Sequence, residues 1–155
     1  MSQHILVLLR HAEADRAPEP GADHARPLTA RGRQQARQVA ETLTTTGPFD
    51  HILASSAERT RATARIVAEI TDFDPAAVES TSRLYEADPR DILELLRQTP
   101  ESTVRLLLIG HNPGLELIAG WLLDSAPRPL GTASQVALAL DSDWAKLGCG
   151  RARLL

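Results

Sequence analysis

The stretch His4-Ile5-Leu6-Val7-Leu8-Leu9-Arg10-His11 decides the fold. Its aliphatic residues follow one another without polar alternation, the pattern of a β-strand covered on both faces. Strands of that kind belong to parallel sheets flanked by helices. The run ends on a guanidinium and an imidazole, at the end of the strand where open α/β sheets bind their ligands. A second such run, Leu106-Leu107-Leu108-Ile109, ends on Gly110-His111-Asn112.

Between and around these runs the pattern alternates. Thr29 is placed to cap a helix in which Ala36, Val39, Ala40 and Leu43 recur at helical spacing, and Gly47-Pro48 stops it. Residues 50–55 read as a short strand. Residues 57–71 read as a helix with Ala62, Thr63, Ile66, Val67 and Ile70 on one face. A weak strand over 77–81, a helix over 88–98 and a strong strand over 103–109 follow. Asn112 is expected to cap the next helix and Pro113 to begin it, with Leu115, Ile118, Ala119 and Leu122 inward. Residues 134–140, a turn at Asp141-Ser142-Asp143 and residues 144–147 read as a closing C-terminal hairpin. Alternating strands and helices predict a three-layer α/β/α sandwich around a mostly parallel central sheet, with right-handed crossovers.

The 155 residues show no repeat or linker, so a single domain over 1–155 is expected. A content of 43% hydrophobic and 24% charged residues is that of an ordinary globular chain. A net charge of −3 argues against a nucleic-acid partner. The longest apolar runs fall far short of the roughly 20 residues of a membrane span, and Met1-Ser2-Gln3-His4 lacks the basic region of a signal peptide. Cys149, the single cysteine, cannot form an internal disulfide, which suits a cytoplasmic, reducing setting. The histidines lack zinc-like spacing, so neither a metal nor a cofactor is expected.

Folding the chain into the sheet gathers four strand ends. They carry Arg10-His11, then Ser55-Ser56-Ala57-Glu58-Arg59-Thr60, then Tyr85-Glu86, then Gly110-His111-Asn112. Two arginines and two helix starts make an anion site, because guanidinium forks match phosphoryl oxygens and helix N-termini carry partial positive charge. A histidine there can serve as general acid–base or as nucleophile. His4, His24 and His51 are expected to have no function, and Trp121 and Trp144 to pack. Ser55 and Ser56 have no base placed to activate them, though either could bond phosphate.

These residues also carry a resemblance. Leu9-Arg10-His11-Ala12-Glu13 resembles the Arg-His-Gly signature of the histidine phosphatase superfamily. Arg26-Pro27-Leu28-Thr29 with Gly32, Gln35 and Ala36 resembles that family's approach to its first helix. Ser55 through Arg59-Thr60, with Thr63-Ala64, resembles its second arginine motif, and Ile109-Gly110-His111 its second histidine. The compact spacing and His111-Asn112-Pro113-Gly114 are similar to the short SixA-type phosphohistidine phosphatases.

The resemblance implies a phosphoglycerate mutase-like fold and a metal-independent phosphatase. His11 would attack phosphorus and become transiently phosphorylated, while Arg10, Arg59 and His111 surround the phosphoryl oxygens. Ser55 and Asn112 are further phosphate-binding candidates. Glu86 stands near the place where larger members hold an acid for the leaving oxygen, with Asp88 and Glu13 behind it. Ala12 replaces the usual glycine, so no positive φ is expected there. His11 is expected to be neutral, its second ring nitrogen donating to a backbone carbonyl, and His111 to be the proton donor in the other charge state. The segments 83–91 and 125–132 are too short for a large lid, although the loop from Glu13 to Arg26 could fold over the site. An uncovered site suits a phosphorylated side chain on a partner protein, with phosphate as product. A small phosphorylated metabolite as substrate, or a noncatalytic phosphate-binding module, are the alternatives.

Overall fold

Strands apolar on both faces must feed two cores, and here they do. In the computed structural model, which describes residues 3–17 and 19–155, β1 (His4–Arg10) sends Leu6 and Leu8 to one side and Val7 and Leu9 to the other. Met1, Ser2 and Pro18 lie outside the described residues. β4 (Arg105–Gly110) divides in the same way, with Leu106 and Leu108 opposed to Leu107 and Ile109. All eight of these side chains are fully buried. Removing each from water contributes on the order of 1.5–3 kcal/mol, which fixes both strands at the centre of the sheet.

The remaining strands are β2 (His51–Ser55), β3 (Glu79–Thr81), β5 (Gln135–Leu140) and β6 (Ala152–Leu154), in sheet order β3-β2-β4-β1-β5-β6. β3, β2, β4 and β1 are mutually parallel, and β5 and β6 add as antiparallel strands. Helices α1 (Ala30–Leu43) and α2 (Glu58–Ile70) cover the Val7 face. Helices α3 (Pro89–Arg97) and α4 (Gly114–Leu122) cover the Leu6 face. The sandwich and the mostly parallel sheet are as the sequence predicts.

Two local expectations are corrected. Residues 144–146 form a 3-10 turn, and β6 is the strand that returns against β5. The Trp144 side chain is fully buried, its indole N–H donates to the Thr103 carbonyl at 2.9 Å, and its backbone N–H donates to Glu101 Oε1 at 2.9 Å. The backbone bonds of the turn itself run from the Lys146 amide to the Asp143 carbonyl and from the Leu147 amide to the Trp144 carbonyl, where a hairpin would pair with β5. Asn112 does not cap α4: Pro113 occupies the cap, and the Asn112 amide donates instead to the Leu130 carbonyl at 2.7 Å.

The start of α1 locks onto the chain just past His11. Thr29 caps as expected, its hydroxyl accepting from the Gly32 amide at 2.8 Å, while its own amide donates to the Glu13 carbonyl at 3.1 Å. Gly32 sits so close that a Cβ there would overlap the Glu13 carbonyl oxygen. In an ordinary helix Gly→Ala gains about 1 kcal/mol, whereas overpacking costs roughly 1–3 kcal/mol. Gly32→Ala is therefore expected to lower the urea midpoint of unfolding at unchanged slope. A raised midpoint would show that this contact is not tight.

Candidate active site

Parallel pairing sets Arg10 opposite Gly110, and the His11 amide donates to the Gly110 carbonyl at 3.1 Å. The residues that follow the two strands are therefore neighbours. The rings of His11 and His111 lie 5.3 Å apart between centroids, tilted by 57°. Ser55 ends β2 beside them, and Arg59 enters from the first turns of α2.

His11 is 8% exposed, and its Nδ1 lies 2.7 Å from the Ala12 carbonyl oxygen. A carbonyl only accepts, so Nδ1 carries the proton and Nε2 the free lone pair. Burial, then the charges of Arg59, Arg10 and Arg26, push the His11 pKa down to about 4 against the opposing Ala12 bond. Ala12 is fully buried and is not among the positive-φ residues, so alanine is accommodated as expected.

His111 is fixed at both nitrogens. Arg59 Nη2 can only donate to Nδ1, at 3.4 Å, so Nε2 carries the hydrogen and donates to Ser55 Oγ at 2.8 Å. Burial first, then Arg59 and His11, push its pKa down to about 3. The groups around them thus favour the neutral form of both imidazoles. The expectation for Ser55 is corrected. Its fully buried hydroxyl orients His111 and accepts from the Ala57 amide, and it does not line the cleft.

A cleft of about 280 Å³ opens over these groups, with Arg10, Arg26, Arg59, His11, His111 and Asn112 in its walls. Glu13 also lines it, but its carboxylate accepts from the Thr29 hydroxyl at 2.7 Å. Arg10 donates through Nη1 to the Leu130 carbonyl at 3.1 Å, and its Nε is buried with no partner. Arg59 Nε is buried and unpaired as well. Buried donors are almost always paired, so these two N–H groups mark a place for an acceptor-rich anion. Asn112 Oδ1 is likewise unpaired but is itself an acceptor, so only the amide nitrogen of that residue could serve phosphate. A larger hollow of about 530 Å³ lies at the opposite end of β1, beside His4, Glu101, Asp141 and Asp143. Its lining is acidic and includes no arginine, so it does not suit an anion. Among the described residues, no group of three or more His, Cys, Asp or Glu is placed to hold a metal, and no helix is long and apolar enough to cross a membrane.

The sequence missed the group that holds Arg59. A 3-10 turn, Asp23–Ala25, folds the loop after β1 towards the site. Asp23 accepts from Arg59 through its backbone oxygen at 2.9 Å and its carboxylate at 3.2 Å. The same carboxylate accepts from Tyr85 at 2.6 Å and from Arg26 at 3.1 Å. The Tyr85 bond, with Arg26 and Arg59, holds the Asp23 pKa down at about 2. The Tyr85 ring meets His111 edge-on at 5.7 Å and His24 at 4.8 Å. His24 bonds Ser56 Oγ at 2.9 Å, so it belongs to the rim of this group rather than to an idle loop. The Asp23…Arg26 spacing was the only sequence signal for this turn.

Glu86 is not brought to the cleft. It is exposed, absent from the cleft lining, and held at φ 55 in the turn before α3. Asp88 is spent in the capping box of α3.

The sequence profile of the histidine phosphatase superfamily (branch 1) matches residues 6–125. A structure provisionally named phosphohistidine phosphatase SixA, from Nakamurella multipartitia, superposes with a TM-score of 0.81 at 27% identity, covering 100% of this chain and 95% of that one. The six-stranded, mostly parallel sheet with its four helices is the phosphoglycerate mutase-like fold. An uncharacterised chloroplastic protein of Arabidopsis thaliana is 32% identical over 150 residues, covering 90% of this chain and 68% of the relative. A protein provisionally named phosphoglycerate mutase GpmB, from an Enterobacter species, is 48% identical over 73 residues, covering 44% of this chain and 33% of the relative. The chain thus spans about a third to two-thirds of the length of these curated relatives.

The depressed histidine pKa values have a signed consequence. Unfolded histidine binds a proton near pH 6.5, whereas folded His11 and His111 bind theirs near 4 and 3. Between those limits the unfolded chain holds more protons, so stability is full above about pH 6.5 and falls as pH drops through that window. Imidazole nitrogen NMR is expected to show His11 as the Nδ1–H tautomer and neither ring titrating above about pH 5. Titration of His11 near its ordinary value would contradict the site's geometry.

Proposed function

The chain belongs to the histidine phosphatase superfamily, and from that premise we propose that residues 1–155 act as one phosphatase domain with His11 as nucleophile and phosphohistidine on a protein as substrate. The Nε2 lone pair of His11 attacks phosphorus. The bond from phosphorus to the leaving nitrogen breaks and its electron pair returns to the substrate imidazole, which leaves neutral because its other ring nitrogen carries a proton taken from water. Water then attacks the phosphorylated His11, the N–P bond breaks, and inorganic phosphate leaves. Arg10 and Arg59 stabilise the charge that builds on the phosphoryl oxygens, which is where such sites gain most of their rate. The incoming anion favours the charged form of His111, so its Nδ1, the nitrogen facing Arg59, becomes a donor to the phosphoryl group. The cations this needs are guanidinium groups, so no metal is invoked.

The choice of leaving group rests on one observation: among the described residues, no carboxyl group at the cleft is free to protonate it. Asp23 is held ionised with a pKa of about 2, Glu13 is tied to Thr29, and Glu86 stands outside the cleft. An alkoxide leaves poorly without a proton, and general-acid help is worth roughly 10²–10⁴-fold. A phenolate leaves well without it, and so does an imidazole whose other ring nitrogen carries a proton from water.

The test is a panel assay in the presence of a chelator. A phosphohistidine protein and an aryl phosphate are expected to turn over, and sugar phosphates to lag by about 10²-fold or more. Preference for a sugar phosphate would overturn the choice of substrate. His11→Ala is expected to remove turnover of every substrate. Arg59→Ala is expected to cost about 10²-fold or more in rate, and a loss of only about threefold would place that residue outside the reaction.

A further inference from the structure

Beside the cationic cleft lies a second, neutral groove of about 400 Å³. Gln35, Gln38 and Thr42 of α1 form one wall, and the segment 132–135 forms the other. Thr132 lines both hollows, so they adjoin. The shared wall is fastened to the backbone of the site: the Ala133 amide donates to the His11 carbonyl at 3.0 Å, and the Arg10 amide donates to the Ser134 carbonyl at 3.0 Å. On the other side Gln35 Oε1 accepts from the Glu13 amide at 3.0 Å.

The groove's chemistry narrows its occupant. None of its lining residues is charged, so a second phosphate or a carboxylate would find no partner there. No aromatic residue lines it, so a nucleobase has no stacking platform. Its walls carry amides and hydroxyls, groups that both donate and accept. A polypeptide backbone is a neutral partner that offers one donor and one acceptor at each residue, and a chain attached to a side chain in the cleft would run into the adjoining groove. Gln135 Oε1, at the start of β5, is buried with no hydrogen-bond partner, an acceptor suited to a backbone N–H.

We propose that this groove binds the extended segment of polypeptide flanking the phosphorylated side chain of a protein substrate. The inference rests on the phosphatase reading above and deepens it, because it makes the groove the reason a protein is preferred to a free phosphorylated molecule.

The test compares two probes, free phosphohistidine and a synthetic peptide carrying phosphohistidine at its centre. The intact chain is expected to show a kcat/KM about tenfold higher for the peptide, the effect of one or two added hydrogen bonds. Gln38→Trp and Thr42→Arg alter exposed positions of α1, outside the catalytic groups. Both variants are expected to abolish the peptide advantage while leaving free phosphohistidine within about twofold of the intact chain. Equal rates for the two probes in the intact chain would overturn the groove while leaving the phosphatase reading in place. So would a peptide advantage that persists in both variants, or an equal loss on both probes. Failure of the intact chain to hydrolyse either probe would overturn the phosphatase reading and the groove with it.

Discussion

The site depends on the register of β1 against β4. With Arg10 opposite Gly110, the apolar residues of both strands alternate correctly between the two cores, and the polar residues begin together where the strands end. A slip of one residue would turn Leu6 and Leu8 onto the face of Val7 and Leu9, inverting every side chain. The buried aliphatic side chains of the two strands therefore do more than hold the sheet. They set the distance between two imidazoles that are one hundred positions apart in the chain.

What the register gathers is unfavourable by ordinary rules of folding. Guanidinium groups, two of them with buried unpaired N–H groups, converge on histidines that are themselves taken out of water. Each such departure costs stability, and departures of this kind concentrate at functional sites. The surroundings restrain them. Asp23 holds Arg59 through two acceptors and is itself held by Tyr85 and Arg26. Ser55 fixes one nitrogen of His111, and the Ala12 carbonyl fixes one nitrogen of His11. The result is a His11 imidazole held neutral and in one tautomer, with guanidinium groups gathered around the same cleft.

The parts legible in the sequence are those set by pattern. Continuous apolar runs betrayed β1 and β4, and residues at strand ends betrayed Arg10, His11, Arg59 and His111. The parts that failed depend on direction, which linear order does not encode. Glu86 follows the third strand as a catalytic acid might, but its left-handed backbone belongs to a turn that leaves it outside the cleft. Ser55 stands at a strand end yet serves His111 from behind. Asp23 and Tyr85 are 62 positions apart and meet only through the folded loop, so their pairing carried no local signal. Trp144 sits in a short stretch that reads as the second strand of a hairpin and folds as a 3-10 turn. Its indole is buried and bonded to the Thr103 carbonyl, a contact that linear order does not encode.

The most direct measurement of the central claim is rapid chemical quench during a single turnover of an aryl phosphate, followed by mass spectrometry of the chain. The account predicts a phosphoryl group on His11, attached at Nε2, acid-labile and alkali-stable, that appears with release of the phenol and disappears with release of phosphate. Turnover with no covalent phosphoryl group at any time, or a phosphoryl group on a residue other than His11, would contradict it.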